Sequence, residues 1–451
     1  MSSMIAQVAH AMQNLLTTQA DQAARDSQFI RRQRQLTGAS FVQTLVFSWL
    51  DDPQATLGDL AQTAATVGTP VSPQALDQRF TSAAADCLRR VVQQAVHQVL
   101  AVQPTALPLL RRFAGVYLLD SSLVELPAIL ADLFPGCGGR SPHQGQAALK
   151  LQACWELTSA QLQGLTLHAG RESETHGRLS VQPLPRGALR LADLGYFDLA
   201  ILRQYSQAEV YWLTRLQPRT HVYVQGQRIA NLAAWLKAQG TRQVDREVTL
   251  GAAQLPCRLL AERVPAAVAA KRRQRLQRKA RKKGRQPSAE QWALAGWNLY
   301  LTNVPLALLS LAEGLVLARC RWQVELLFKH WKSDQQIDQW RSSKPWRILC
   351  EVYAKLLAVV LEHWVLAVSG LETPRQSVRR AARKVRQHAL HLASVLGEEE
   401  ALRQVLSLLR RCIQRSPSIN KRRRHPATFQ LLLDPAGEGR AAAKSRRCKA
   451  A

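Results

Sequence analysis

The 451-residue sequence lacks several motifs that would assign it to a common class of protein. Its eight cysteines are widely separated and include no Cys-x-x-Cys pair, so neither a zinc knuckle nor a disulfide framework is expected. No P-loop motif occurs, which argues against nucleotide hydrolysis as the driving chemistry. The N-terminus has no basic flank followed by an apolar segment, and residues 353–371 are interrupted by Lys355, Glu362 and His363. We therefore expect a reduced, cytoplasmic protein with no membrane span.

Acidic residues are also scarce, because 32 Asp and Glu stand against 61 Lys and Arg and leave a formal charge of +29 at pH 7. The length and an apolar content of 47% indicate a folded chain of two or more domains and exclude disorder throughout. A charge excess of this size indicates a polyanionic partner. Nucleic acid is the leading candidate.

Residues 1–107 have the pattern of a helical region. Thr56 and Asp59 have the spacing of a capping box, and Gly68 then ends a helix of about eleven residues. Ser72 followed by Pro73 starts the next helix, so the pair is a candidate helix-turn-helix, with a plain helical hairpin as the alternative. The polar residues near the start of the second helix, which would face DNA bases, are Gln74, Asp77, Gln78 and Arg79.

From Val116 onward the pattern changes to short strands. The predicted strands and helix, in chain order, are Val116–Leu119, Ala148–Trp155, Leu162–Ala169, Leu189–Ala192, a helix at Phe197–Tyr205, and Glu209–Leu213. This order matches a ribonuclease-H-like mixed sheet, which gives an α/β fold class. Asp120 and Asp193 directly follow the first and fourth strands. A turn-forming role for Asp120 and a helix-capping role for Asp193 are the alternatives to a catalytic one.

Residues 217–304 interrupt this order and are predicted to form a mostly β insertion. Within it, ten of the fifteen residues from Lys271 to Arg285 are Lys or Arg, which predicts a mobile loop or an arm that lies on phosphates. A solvated loop without a specific partner is the alternative. The DNA-binding candidates in this run are Arg272, Arg273, Lys282 and Lys283.

A long amphipathic helix is predicted from Leu317 to Gln336. At 100° per residue, Arg321, Glu325 and Lys332 fall on one face of that helix, with the carboxylate between the two cations. An exposed i, i+4 ion pair, worth only about 0.2–0.5 kcal/mol, is the alternative interpretation. A helical basic region follows to the C-terminus.

Together these residues resemble a family. Arg321-x3-Glu325-x6-Lys332 is similar to the C-terminal signature, Tyr-x2-Arg-x3-Glu-x6-Lys, of bacterial insertion-sequence DDE transposases that carry a β-rich insertion. Leu118–Pro127 with Phe134–Gly136 resembles the family's first acidic region, and Ala192–Asp198 resembles its second. Residues 60–80 and 297–305 also resemble family segments. One departure is visible, because Ala318 occupies the position of the signature tyrosine.

The resemblance implies the chemistry. Asp120, Asp193 and Glu325 would be catalytic and would ligate two Mg²⁺ or Mn²⁺ ions, which stabilise the attacking and leaving oxygens of a phosphodiester reaction. Arg321 and Lys332 would hold phosphates beside the metals. Trp297 would stack on an unpaired base, or else be a buried strand tryptophan.

The implied activity is DNA transposition in the bacterial cytoplasm, at the nucleoid. The enzyme would cleave the terminal inverted repeats of its element and join them to target DNA, without ATP and as a homodimer on DNA. The alternatives are a non-catalytic DNA-binding protein, an inactivated transposase relic, and a structure-specific nuclease of the same fold. The predicted layout is an end-binding domain (1–107), a catalytic core in two parts (108–216 and 305–370), the insertion (217–304) and a basic C-terminal region (371–451).

Overall fold

The structure is a computed structural model that describes residues 2–32, 35–98, 107–137, 146–175, 177–282, 284–369, 377–415 and 428–435. Its helices are α1 (Ser2–Asn14), α2 (Ala20–Asp26), α3 (Gly38–Asp51), α4 (Leu57–Thr66), α5 (Pro73–Asp77), α6 (Ser82–His97), α7 (Leu199–Gln207), α8 (Leu232–Ala238), α9 (Ala266–Arg281), α10 (Ala289–Leu294), α11 (Leu311–Cys320), α12 (Trp322–Ser333), α13 (Pro345–Val368), α14 (Val378–Arg386), α15 (Ala389–Ser394), α16 (Glu399–Gln414) and α17 (Thr428–Leu433). Its strands are β1 (Val116–Leu126), β2 (Ala147–Glu156), β3 (Gln161–Ala169), β4 (Leu189–Ala192), β5 (Tyr211–Arg215), β6 (Val222–Val224), β7 (Gln227–Arg228), β8 (Gln243–Leu250), β9 (Leu255–Arg263) and β10 (Trp297–Thr302).

The chain forms two compact units. The helical unit takes the described residues within 1–106, 120–179 and 323–422, and the sheet unit takes those within 107–119, 180–322 and 423–451. The protein is therefore of mixed α and β structure, as expected from its sequence. The predicted layout of end-binding, catalytic, insertion and C-terminal domains stays a prediction.

The core of the helical unit is built around α13. Every residue of this helix from Ile348 to Val368 is buried, and α3 and α6 pack against it. The antiparallel hairpin of β2 and β3 belongs to the same unit, and its turn is closed by the Glu156 carboxylate, which accepts bonds from the backbone N–H groups of Thr158 and Ser159. The N-terminal helices thus share a hydrophobic core with later parts of the chain.

The sheet unit contains a large mixed sheet. Residues 116–119 of β1 pair in parallel with β4, and β4 pairs in parallel with β5. Antiparallel strands then extend the sheet in the order β5, β10, β9, β8, β6 and β7. All four residues of β4 are buried, as is typical of a strand that is covered on both faces.

Each strand predicted between residues 116 and 213 overlaps a strand of the structure, because alternating and β-branched apolar runs bounded by polar turns carry a strong local signal. Two helix predictions were wrong in extent. The predicted helix at 317–336 is two helices, interrupted at Arg321, and the helix predicted to continue past Asp77 ends there before α6 begins. In the described part of the chain, no helix is both long and apolar enough to cross a membrane.

Candidate functional site

The first predicted acid, Asp120, lies within β1. The strand continues to Leu126 and does not end at Asp120 as predicted, because residues 121–126 keep extended backbone beyond the part paired with β4. The Asp120 side chain is half-buried and accepts a 2.8 Å bond from the backbone N–H of Ser121. The Ser121 hydroxyl donates in turn to the Glu174 carboxylate. A further carboxylate thus lies next to this part of β1, and the sequence contained no signal for it because Glu174 is 53 residues from Ser121.

The second predicted acid, Asp193, follows β4 at the edge of the sheet. Its side chain is 40% exposed and makes no capping bond to the short 3₁₀ helix that follows. The helix-capping role is filled by Asp198, whose carboxylate accepts bonds of 2.8 and 3.2 Å from the N–H groups of Ala200 and Ile201 at the start of α7. The structure therefore removes the capping alternative for Asp193.

Arg321 lies close to Asp193 in the sheet unit. Its guanidinium Nε is 3.9 Å from Asp193 Oδ1, and its side chain is 19% exposed. Arg321 also lines a cleft of about 760 Å³ together with Arg215 and Arg319. A guanidinium group can bind two phosphate oxygens at once, and one carboxylate, that of Glu262, lines the cleft beside the three arginines. Ala318, at the position of the signature tyrosine, lines the same cleft.

The third predicted acid, Glu325, lies in the first turn of α12 and is half-buried. The helix predicted as continuous is divided at Arg321, which caps α11 but keeps helical backbone angles, so the three-residue face stays a prediction. Glu325 and Lys332, seven residues apart within α12, remain on one face. The Lys332 ammonium donates a 2.6 Å bond to the carbonyl oxygen of Leu123, so this lysine ties α12 to the strand that contains Asp120.

A buried polar network fixes the end of α12 against α13. His330 bonds to Asp334 over 2.6 Å and to the fully buried Glu362 over 3.1 Å. Burial alone lowers the pKa of His330, but the two carboxylates outweigh it and raise the pKa above its usual value. Trp331 donates its indole N–H to His363 Nε2 at 3.1 Å. Both contacts hold the helix that carries Glu325 and Lys332.

The candidate base-reading residues lie in and just after α5, which has only five residues. Gln74 and Gln78 are exposed and Arg79 is half-buried. Asp77, by contrast, is bonded to Lys344 at 2.5 Å and to Arg347 at 3.1 Å, and these cations lower the pKa of its carboxyl. Asp77 therefore anchors α5 to the start of α13, which leaves the other three polar residues as the candidates for DNA contact.

The basic run is helical up to Arg281, where a loop was predicted. Ala, Arg, Lys, Gln and Leu all favour helix, and they dominate α9. Arg272 donates to the Trp297 carbonyl and to the Asn298 side chain, and Arg273 donates to the Trp292 carbonyl. These two candidates are anchoring residues. Lys282 is exposed, Trp297 is half-buried at the start of β10, and Lys283 lies outside the described residues.

The three predicted acids are the candidate ligands of a metal site. Among the residues that the structure describes, no three or more His, Cys, Asp and Glu side chains are close enough together to hold a metal ion. Asp120 and Glu325 belong to the helical unit and Asp193 to the sheet unit. The donor chemistry of three carboxylates suits Mg²⁺ or Mn²⁺, which prefer hard oxygen ligands.

Comparisons with known proteins agree on one family. The family described as "Transposase DDE domain" matches residues 111–361. The chain is 28% identical over 367 residues to the transposase for insertion sequence element IS231F of Bacillus thuringiensis subsp. israelensis, covering 76% of each chain. It is 28% identical to the IS231B transposase of Bacillus thuringiensis subsp. berliner (76% of this chain, 75% of the relative) and 25% identical to the IS1151 transposase of Clostridium perfringens (77% of each).

Proposed function

The chain belongs to the transposase DDE domain family, and from that membership we propose that it is a DNA transposase of an insertion sequence. The observation that carries the proposal is the extent of the match, because residues 111–361 contain all three predicted acids. The enzyme binds the terminal inverted repeats of its element, cleaves the ends and joins them to target DNA. It acts on double-stranded DNA as a homodimer in the bacterial cytoplasm, at the nucleoid.

Asp120, Asp193 and Glu325 are the proposed ligands of two Mg²⁺ or Mn²⁺ ions, within a core of ribonuclease-H-like fold. Such ions, when bound, stabilise negative charge on the attacking and leaving oxygens of a phosphodiester reaction. The lack of a capping role for Asp193 supports this assignment, because Asp198 satisfies the start of α7. A carboxylate that has no capping bond to make is suited to ligate a cation.

Arg321 is proposed to bind a DNA phosphate beside Asp193. It lines the cleft together with Arg215 and Arg319, and its guanidinium offers a charged and geometrically defined contact to phosphate oxygens. Lys332 is proposed to combine two roles. One ammonium N–H holds the Leu123 carbonyl, and the half-buried group also supplies a point charge to a phosphate.

End recognition is proposed for Gln74, Gln78 and Arg79. Glutamine and arginine pair in two-bond contacts with adenine and guanine edges, respectively, and the two glutamines are exposed. Because α3 and α6 share a core with α13, removing the N-terminal region would unfold the helical unit. Point substitutions are therefore the appropriate test of recognition.

The proposal is tested by Asp120→Asn, Asp193→Asn and Glu325→Gln, which keep side-chain shape but weaken metal ligation. Each variant should lose cleavage and joining of labelled end DNA in Mg²⁺ to background level, while end binding in a gel-shift assay stays near wild type. Glu125→Gln, which removes a carboxylate from the same strand as Asp120, is the matched control and should retain activity. Near wild-type nicking by any of the three variants would refute the assignment of that acid.

A further inference from the structure

Helix α9 has two faces, and their charged side chains differ in environment: those of one face are bonded to other groups of the sheet unit, and those of the other are exposed. On the inner face, Ala269 is buried and Arg272 is bonded to β10 by two contacts of 2.9 and 2.7 Å. Arg273 bonds the Trp292 carbonyl over 3.2 Å, and its guanidinium lies 5.8 Å from the centre of the Trp292 ring. Burial and the nearby charge of Arg215 lower the pKa of Arg272, as expected of an enclosed cation. The inner face is therefore fastened to the sheet unit.

The outer face holds a row of four exposed cations: Lys271, Arg275 and Arg278 on α9, and Lys282, which caps its C-terminus. The exposed Lys279 and Arg281 lie to either side of this row. Their spacing of four, three and four residues places them within about 60° of one another around the helix axis. At a rise of about 1.5 Å per residue, the row is about 16 Å long. We call these four residues the outer row. They form a straight, one-sided line of positive charge on a helix that is held in place from behind.

The outer row has no internal counter-charge. Residues 266–288 contain no Asp or Glu, and within the described part of the chain no carboxylate forms an ion pair with any of the four. Like charges at i, i+4 destabilise a helix by about 0.2–0.5 kcal/mol per pair, so the row works against the helix that carries it. The anchors at Arg272 and Arg273 offset that repulsion. Such an arrangement suits an external polyanion.

We propose that the outer row is a docking surface for the phosphate backbone of duplex DNA, and that it contacts no bases. This inference rests on the proposed function, since it takes DNA as the partner. One strand of B-DNA presents a phosphate about every 3.4 Å along the axis, so a row of about 16 Å spans the axial rise of about five phosphates, although the strand winds around the axis over that distance. Contacts of this kind position DNA but have no sequence preference. The row therefore strengthens binding of end and target DNA equally, whereas end preference comes from elsewhere in the chain.

The test measures binding of two fluorescent duplexes, one with an element end and one of random sequence, over a range of salt concentrations. Replacing all four outer-row residues with Gln keeps the helix propensity and removes the charges. The slope of log K against log salt should fall in magnitude by up to about 3.6, which is about 0.9 for each phosphate that the variant no longer neutralises. The fall in affinity should be the same for both duplexes, so the ratio of their affinities should stay at the wild-type value.

The matched control replaces four other exposed cations of the sheet unit, Arg228, Lys237, Arg242 and Arg246, with Gln. It changes the net charge equally and should leave most of the slope intact. An unchanged slope in the outer-row variant, an equal slope change in the control, or a fall in the affinity ratio would each overturn the proposal. If the fourfold variant lost helix content by circular dichroism, single Arg275→Gln and Arg278→Gln variants should each lower the slope by about 0.9. Because binding is measured without cleavage, a failure of the transposase assignment is a separate result.

Discussion

Helices α13 and α9 differ in where their charged side chains lie: the Lys and Glu side chains of α13 are buried and paired, and most of the charged side chains of α9 are exposed. In α13 the residues from Ile348 to Val368 are all buried, and the Lys and Glu side chains among them are paired within the core: Lys355 with Glu351, and Glu362 with His330. In α9 one residue is buried and most of its cations point into solvent without a carboxylate partner. An unpaired charge is costly in the core and nearly free of cost in water. Unpaired charge can therefore persist only on the surface, where it remains available for an external partner.

The largest effect is expected at the buried ion pair of Lys355 and Glu351 in α13. Lys355 donates to Glu351 at 2.8 Å and to the backbone carbonyls of Gln336 and Gln339. Lys355→Ala should lower the free energy of unfolding by about 3–5 kcal/mol, because it leaves the Glu351 carboxylate buried without its cation. Urea denaturation measures the change. The double variant Lys355→Met with Glu351→Leu should recover much of it, and a single-variant loss below about 1 kcal/mol would show that the pair is dispensable.

An effect of intermediate size is expected of pH on the free energy of unfolding. Burial and the neighbouring charge of His330 lower the pKa of His363 to about 3, so His363 is neutral in the folded protein and protonates near pH 6.5 when unfolded. Its contribution to stability is present above pH 6.5 and should be lost as pH falls towards 3, by about 1.4 kcal/mol per pH unit. Unfolding measured between pH 7 and 4 should show this slope, and His363→Gln should reduce it. An identical slope in the variant would contradict the assignment.

His330 does not obscure that measurement, because its pKa shift has the opposite sign. The side chains around it are Asp334 just after α12, Glu362 and His363 on α13, and Arg379 from α14, which bonds Asp334. With a folded-state pKa above its unfolded value, His330 contributes stability that is fully present below about pH 6.5 and is lost as pH rises through the folded pKa. The two histidines therefore act in different pH windows.

The smallest effect is expected on α9. Replacing the outer row with Gln should change the free energy of unfolding by less than about 0.5 kcal/mol per site, with a slight gain where like-charge repulsion is relieved. Urea denaturation in low salt checks this expectation. A loss of several kcal/mol would mean that the row makes structural contacts, and would remove the contrast between the two helices.

Much of the fold followed from local patterns in the sequence. The strands predicted between residues 116 and 213 and the capping box at Thr56 and Asp59 depend on neighbouring residues, and the structure contains them. The break at Arg321 and the end of α5 at Asp77 were missed, because apolar periodicity continues across both points. The assignment of Asp120, Asp193 and Glu325 to metal binding came from motif resemblance and stays a prediction.

By itself, the sequence determined the charge excess, the approximate order of the elements and the resemblance to a family signature, because composition, periodicity and spacing are properties of the chain. Only the tertiary structure decided which charged side chains are bonded to other groups of the protein and which face solvent. Arg272 and Arg278 are identical in composition terms and six residues apart, yet one is fastened to Asn298 and the other faces solvent. Likewise, the Asp77 side chain anchors α5 and the Asp198 side chain caps α7. The Asp193 side chain makes no capping bond to the short 3₁₀ helix that follows it. Partners distant in the sequence make these choices, since burial and hydrogen bonding are set by folding.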